Sequence, residues 1–140
     1  MIIISVMDIR DKKKSELRMD NNAYFIELTQ TNFSHEVLGK GKPILVEFRA
    51  DWSGTCDIMS PIIEELSALY AGRLTIGFID TDNNGDLVEE YGVNHLPTFI
   101  FFKKGQAVDY IVGAVPKPVM TEKIEKLIKN NRDLEHYQSN

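Results

Sequence analysis

The residues best suited to chemistry form one short segment, W-S-G-T-C at positions 52–56, with Pro61 five positions after the cysteine. Disulfide exchange uses one thiolate to attack a disulfide and a second thiol to resolve the mixed disulfide that results. Cys56 is the only cysteine among the 140 residues, so the chain cannot form an internal disulfide. The segment therefore indicates a redox-type site with one of the two sulfurs that a complete exchange cycle requires.

Composition narrows the classes of function. The chain has 16 Lys and Arg against 21 Asp and Glu, a net charge of −5, so no broad basic surface for nucleic acid is expected. No stretch approaches the roughly 20 apolar residues of a membrane helix, and residues 1–7 make a poor signal peptide. One cysteine with three scattered histidines argues against a metal site. We expect a cytoplasmic monomer that binds neither nucleic acid nor membrane and carries no cofactor.

Apolar runs and helical patterns predict the elements that must position the segment. Strands are predicted at 24–28, 44–48, 74–80, 98–102 and 107–112. Helices are predicted at 31–38, 55–69, 86–91 and from Pro116 or Pro118 onward. Strands that first alternate with helices and then end in a hairpin and a helix indicate an α/β fold, a mixed central sheet with helices on both faces.

The predicted domain spans residues 21–131, after a leader at 1–20 and before a polar tail at 132–140. Thr31 or Asn32 is expected to cap the first helix. Pro61 lacks a backbone donor and predicts a kink in the second helix. The apolar side of that second helix is predicted to comprise Ile58, Ile62, Ile63, Leu66 and Leu69, and that of the last helix Val119, Ile124, Leu127 and Ile128.

Several separated landmarks give residues 24–129 a resemblance to the thioredoxin family. The strand at 46–48 leads into A-D-W-S-G-T-C at 50–56, where the family has W-C-G-P-C, and Pro61 matches the family's helix-kinking proline. N-H-L-P-T at 94–98 matches the loop whose proline is cis in that family. F-K-K-G at 102–105 and V-G-A at 112–114 match its closing hairpin. The resemblance implies a thioredoxin fold and a link to thiol–disulfide exchange.

Two departures from the family pattern bear on the sulfur chemistry. Ser53 stands at the position of the family's attacking cysteine, and Thr55 replaces the proline between the two cysteines. A serine hydroxyl is no redox group but is a good helix N-cap, so capping is the favoured interpretation of Ser53. Cys56 matches the resolving cysteine, the more buried of the pair. Because a buried thiol in apolar surroundings is usually inert, we interpret Cys56 first as a packing residue and second as a reactive monothiol.

Three further residues could influence the thiol. Glu47 replaces a buried aspartate of the family, and burial is expected to raise its pKa. The resemblance implies that this acid moves a proton to or from Cys56, and a packing role without proton transfer is the equal alternative. Asp57 follows the cysteine where a lysine is common and disfavours the thiolate. His95 is a candidate base or pH-sensitive contact, although an exposed loop residue without chemistry is the simpler interpretation.

The remaining candidates concern binding. Pro97, which the resemblance implies to be cis, is expected to shape a groove with Leu96 for an extended peptide. Trp52 is expected to pack against the site and shield it, or to act as an anchor for partners. Gly54 is interpreted as serving the turn, and Thr55 as lining the same groove.

Two functions are therefore predicted. The first is a thioredoxin-like protein that acts at most as a monothiol through Cys56, with an extended protein or peptide as substrate and a small thiol such as glutathione as a further partner. The second is a non-catalytic module that binds such a peptide at Trp52 and Pro97. A silenced ordinary enzyme is a third alternative, which the departures at Thr55 and Asp57 disfavour. The family is one of disulfide oxidoreductases, and this member is expected to be redox-impaired.

Overall fold

The computed structural model describes residues 25–139, with side chains described for residues 25–129. The leader predicted at 1–20 and the first residue of the strand predicted at 24–28 lie outside the described residues. In chain order, the elements are β1 (Phe25–Leu28), α1 (Ser34–Gly39), β2 (Ile44–Arg49), α2 (Gly54–Leu69), β3 (Thr75–Asp80), α3 (Gly85–Glu90), β4 (Thr98–Lys103), β5 (Gln106–Val112) and α4 (Lys117–Ser139).

The strands form one mixed sheet in the order β1-β3-β2-β4-β5. β1, β3 and β2 run parallel, whereas β4 and β5 are antiparallel to their neighbours. Because the carboxyl ends of parallel strands meet at one end of a sheet, the segments that follow β2 and β3 lie close together. The tight β4–β5 turn requires Gly105, which has a φ of 76° and whose added Cβ would lie 2.8 Å from the carbonyl oxygen of Leu38.

Helices cover both faces of the sheet, because successive side chains of a strand point to opposite faces. On one face, α2 and α4 pack against the strands through residues that include Leu45, Phe99, Met59, Ile63, Leu66 and Ile124. On the other face, α1 and α3 do so through residues that include Phe33, Val37, Val46, Phe48, Leu87 and Phe102. Burying one such side chain stabilises the fold by about 1.5–3 kcal/mol. The predicted mixed sheet with helices on both faces is confirmed.

The start of α1 differs from the prediction. Neither Thr31 nor Asn32 caps the helix, whose N-cap position is Phe33 and which has π-helical rather than α-helical geometry. Instead the Thr29 hydroxyl oxygen accepts from the backbone N–H groups of Thr31 and Asn32 at 3.2 and 3.3 Å. Asn32 Oδ1 accepts in return from the Thr29 N–H at 2.8 Å. The side chains therefore stabilise the turn before α1 and not its first helical turn.

The buried side of α2 is also rotated from its predicted position. Ile58 and Leu69 were expected inside but are both more than half exposed. The buried positions are Cys56, Met59, Ile63, Leu66 and Ser67. Successive residues of a helix are rotated by about 100° about its axis. Because Met59 rather than Ile58 faces the core, the side chain of Ile58 points away from it. On α4, Met120 is buried where Val119 had been predicted.

The backbone of α4 remains helical to Ser139 and so includes most of the predicted polar tail at 132–140. Side chains of that tail lie outside the described residues. Among residues 25–139, no helix is both long and apolar enough to span a bilayer.

Candidate functional site

Ser53 occupies the amino end of α2, after a short connection from the end of β2 at Arg49. Its backbone is extended, with φ −90° and ψ 113°, and its Oγ accepts a hydrogen bond from the backbone N–H of Cys56 at 3.3 Å. The first N–H groups of a helix have no acceptor within the helix, so this bond is a side-chain N-cap. The capping interpretation of Ser53 is confirmed.

Cys56 lies on the inner side of the first turn of α2. Its exposed fraction is 0%, and the thiol is free. Its carbonyl oxygen accepts a hydrogen bond from the Ser60 hydroxyl at 3.1 Å. The predicted burial of Cys56 is therefore confirmed. An attacking or metal-binding thiolate must be accessible to its partner. With an exposed fraction of 0%, the sulfur of Cys56 is not accessible in the folded chain.

Glu47 lies in the middle of β2, beneath α2. It pairs in register with Phe78 and Phe99, which pack in the α2–α4 core, so its side chain points toward that core. It is 1% exposed, and neither carboxylate oxygen has a hydrogen-bond partner among residues 25–129. Burial raises the pKa of Glu47 to about 7, while the positive charge of Arg49 acts to lower it. The predicted burial and raised pKa are confirmed, and the carboxyl makes no hydrogen bond to Cys56.

Trp52 precedes the cap and is largely exposed, at 71%. Its indole N–H donates to the two carboxylate oxygens of Asp82 at 3.0 and 3.2 Å. Asp82 belongs to the short 3₁₀ turn that follows β3, and its own N–H donates to Asp80 Oδ1 at 3.1 Å. This pair holds the indole at the surface, and the expected packing of Trp52 against the site stays a prediction. Sequence reasoning missed Asp82, which lies 30 positions away along the chain.

The loop before β4 carries the candidate peptide-binding residues. The Leu96–Pro97 peptide bond is cis, Pro97 is buried, Leu96 is half-buried and His95 is exposed. The Thr98 hydroxyl donates to the carbonyl oxygen of His95 at 2.7 Å. The N–H of Gly113 donates to the carbonyl oxygen of Pro97 at 2.7 Å. These bonds fix the loop to the start of β4 and to the residue that follows β5.

Gly54 and Thr55 are both exposed in the first turn of α2. The φ of Gly54 is not positive, and an added Cβ would meet no atom within 4 Å. The backbone at Gly54 therefore does not demand glycine, and its service to the turn stays a prediction.

The predicted site residues are brought together only in part. Ser53 and Cys56 are joined by the cap, whereas the loop that contains His95, Leu96 and Pro97 is hydrogen-bonded to Thr98 and Gly113. No hydrogen bond joins His95 to Cys56 within the described side chains, so the candidate acid–base pairing lacks direct contact. The part of the chain that the structure describes contains no cluster of three or more His, Cys, Asp or Glu that could hold a metal ion.

Comparison with known proteins places this site in a family. The sequence profile described as Thioredoxin matches residues 24–126. The chain is 38% identical over 100 residues to thioredoxin 1 of Nostoc sp., which covers 71% of this chain and 94% of that protein. It is also 38% identical over 104 residues to the thioredoxin of Chlorobaculum thiosulfatiphilum. That alignment covers 74% of this chain and 96% of the Chlorobaculum protein. With most of its length matched in this way, the chain belongs to the thioredoxin family, which relates it to thiol–disulfide redox proteins.

Proposed function

We propose that this chain is a thioredoxin-family protein without a two-thiol exchange cycle, and that it holds an extended polypeptide beside Trp52 and Pro97. The observation that carries the proposal is the complete burial of Cys56, the only thiol of the sequence. Exchange needs an accessible thiolate, usually at a helix N-terminus where the helix dipole lowers its pKa. Here that place holds Ser53, whose hydroxyl is engaged in capping.

The binding half of the proposal rests on the exposed surface beside the cap. Trp52 offers a large amphipathic side chain, the type most often found as an interface anchor. Its hydrogen bonds to Asp82 restrict the indole before any partner arrives, so less side-chain entropy is lost on binding. Leu96 is half-buried on the Pro97 loop and supplies an apolar wall. A protein or peptide in extended form, bound by a monomer, suits this surface.

A second candidate is a monothiol reaction of Cys56. Its thiolate would attack one sulfur of a partner disulfide, forming a mixed disulfide and releasing the other sulfur as a thiolate. A glutathione thiolate would then attack the partner sulfur, which frees Cys56 and leaves glutathione joined to the partner. In this candidate Glu47, buried beneath α2 with its pKa raised by burial, would give and take the thiol proton. The cytoplasm, which holds a glutathione pool, is the proposed place of action.

One experiment separates these candidates. Insulin reduction by dithiothreitol is followed with the wild-type chain, with Ser53→Cys and with Ser53→Ala as the control for loss of the cap. We expect no acceleration by the wild type or by Ser53→Ala, and acceleration by Ser53→Cys, in which two sulfurs lie one helical turn apart. Acceleration by the wild type would overturn the proposal.

Binding is tested with carboxymethylated insulin B chain, which has no free thiol, by the fluorescence of Trp52. We expect Cys56→Ser to bind this probe as tightly as the wild type does. We expect Trp52→Phe, which lacks the fluorescent indole and is followed by amide chemical shifts instead, to bind the probe more weakly. Undiminished binding of the probe by Trp52→Phe would overturn the binding half of the proposal.

A further inference from the structure

The outer edge of β5 is open and apolar. β5 ends the sheet, and no strand within residues 25–139 pairs with its outer side. Val108, Tyr110 and Val112 are each half or more exposed. Natural edge strands are usually protected by charged residues or proline, yet the only charged residue of β5 is Asp109, which accepts a hydrogen bond from Lys123 of α4 at 2.8 Å. The edge therefore retains the capacity to pair with another strand.

Two clefts on opposite faces of the sheet meet at this edge. The larger, of about 510 Å³, lies between β5 and the loop after α3, and its lining includes Tyr91, His95, Ile100, Tyr110 and Val112. The smaller, of about 240 Å³, lies on the α4 face, and its lining includes Lys103, Lys123, Lys126 and Leu127. Val108 and Asp109 line both. A strand added to β5 would thus place alternate side chains in the two clefts.

The two clefts differ in charge. The larger is lined by no lysine or arginine and is mainly apolar and aromatic. The smaller has three lysines around Asp109, and of these Lys103 and Lys126 form no ion pair within residues 25–129. An excess of positive charge on one face and an apolar surface on the other favour different side chains, acidic on the α4 face and apolar on the α3 face.

We propose that β5 is a docking edge for an extended segment of a partner polypeptide in which apolar and acidic residues alternate. Main-chain hydrogen bonds to the edge would provide affinity, and the two clefts would select the side chains. The edge is continuous with the Pro97 loop, because Gly113 directly follows β5 and donates to the Pro97 carbonyl. To that extent the inference rests on the proposed function, since one extended segment would contact both regions.

A second copy of this chain fits the edge less well. In a second copy, the one acidic residue of β5 is already bonded to Lys123 and offers nothing to Lys103 or Lys126. The charges of the smaller cleft therefore favour a different, acidic partner.

The test uses short fluorescein-labelled peptides of repeating Val-Glu, with Val-Lys and Ser-Glu repeats as controls, and measures anisotropy on addition of the full chain. We expect the Val-Glu peptide to bind at least about tenfold more tightly than either control. N-methylation of alternate backbone nitrogens should abolish binding, because those groups could no longer pair with the edge. Equal binding of Val-Glu and Val-Lys peptides, or undiminished binding of the methylated peptide, would overturn the proposal.

Variants of the chain locate the site. Tyr110→Thr and Lys126→Gln should each weaken binding of the Val-Glu peptide several-fold, whereas Leu69→Thr and Lys129→Gln, which replace an exposed apolar residue of α2 and an exposed lysine of α4, should not. Amide shifts on adding the peptide should fall at Gln106–Val112. Shifts confined to residues 52–56 would overturn the β5 proposal while supporting the proposed function. Dimerisation of the chain without peptide, abolished by Tyr110→Thr, would show that a second copy is the occupant and would overturn it as well.

Discussion

The interior beneath the amino end of α2 and the outer edge of β5 differ both in the side chains they hold and in the exposure of those side chains. Cys56 and Glu47 carry the chemistry of the sequence, and both are buried, the carboxylate of Glu47 without a hydrogen-bond partner among the described side chains. At β5, Tyr110 and Val112 carry no reactive group, yet they are exposed beside an open edge. The contrast teaches that in this chain the surface suited to recognition is accessible and the groups suited to reaction are not.

The pKa values of the carboxyl groups of Glu47 and Asp109 shift in opposite directions from their ordinary values. For Glu47, desolvation prevails over the attraction of Arg49 and raises the pKa to about 7. For Asp109, partial burial also acts to raise the pKa, but hydrogen bonds from Lys123 and the Tyr110 N–H, with the charge of Lys126, hold it below its ordinary value. The pKa of a carboxyl group is thus raised at Glu47 and lowered at Asp109, because only Asp109 accepts hydrogen bonds.

The largest expected effect concerns access to the thiol. Iodoacetamide should label Cys56 in the native chain on the order of 10³-fold more slowly than in denaturant, because the sulfur must wait for an opening of the fold. The measurement is the labelling rate by mass spectrometry with and without guanidinium. As a control, an exposed cysteine introduced by Val112→Cys on a Cys56→Ser background should label at similar rates in both conditions. Fast labelling of Cys56 in the native chain would show that its thiol is accessible, as the β5 edge is, and would contradict this comparison of the two regions.

Substituting the two carboxylates should change stability in opposite directions. Because the folded pKa of Glu47 lies above its unfolded value, its ionisation opposes folding as pH rises from about 4.5 to 7, by on the order of 3 kcal/mol once both values are passed. Glu47→Gln should therefore raise the free energy of unfolding relative to wild type at pH 8 but have little effect at pH 4. Urea denaturation at the two pH values measures this difference.

Asp109→Asn is the matched control for that change. Its lowered pKa means that the ionised form stabilises the fold above the unfolded pKa, a contribution lost as pH falls through the folded value. The variant should lose up to about 1 kcal/mol at pH 8, as is typical of a partly exposed ion pair. A loss of stability in Glu47→Gln at pH 8 would show that Glu47 is ionised and paired after all.

The cap of α2 should contribute a smaller amount. Ser53→Ala removes the acceptor for the Cys56 N–H and should lower the free energy of unfolding by about 1 kcal/mol. Ser53→Asp, which retains an acceptor and adds a negative charge at a helix N-terminus, should recover most of it. Thermal unfolding of the three proteins provides the comparison, and equal stability of wild type and Ser53→Ala would argue against a capping role.

The smallest effect is expected at the glycines. Gly54→Ala should stabilise the fold by about 0.4–1 kcal/mol, because the position has room for a methyl group and alanine restricts the unfolded chain. Gly105→Ala should destabilise it, since that φ is positive and the Leu38 carbonyl lies too close. Melting temperatures that move in the same direction for both variants would contradict this account of the two turns.

Much of the fold could be predicted from local patterns. The apolar runs that became β2, β3 and β4 carry enough buried surface to specify strands, and the order of elements specified a mixed sheet. The capping role of Ser53 likewise follows from residue type and immediate context, whereas the burial of Glu47 was expected from its place in an apolar strand and from the family resemblance. Predictions failed where one helical position decided the outcome, as at Ile58, or where a neighbouring turn competed for the same hydrogen bonds, as at Thr31 and Asn32.

The sequence by itself determined that the 140 residues contain one cysteine, so that no disulfide can form between two cysteines within them. Only the tertiary structure decided which surface is left for recognition. Trp52 meets Asp82, and the edge of β5 meets the lysines of α4, through contacts between residues far apart in the chain. The local sequence pattern predicts secondary structure and capping, which depend on residues that are neighbours in the sequence. Charge, access and strand pairing depend on which residues the packed sheet and helices bring together in space.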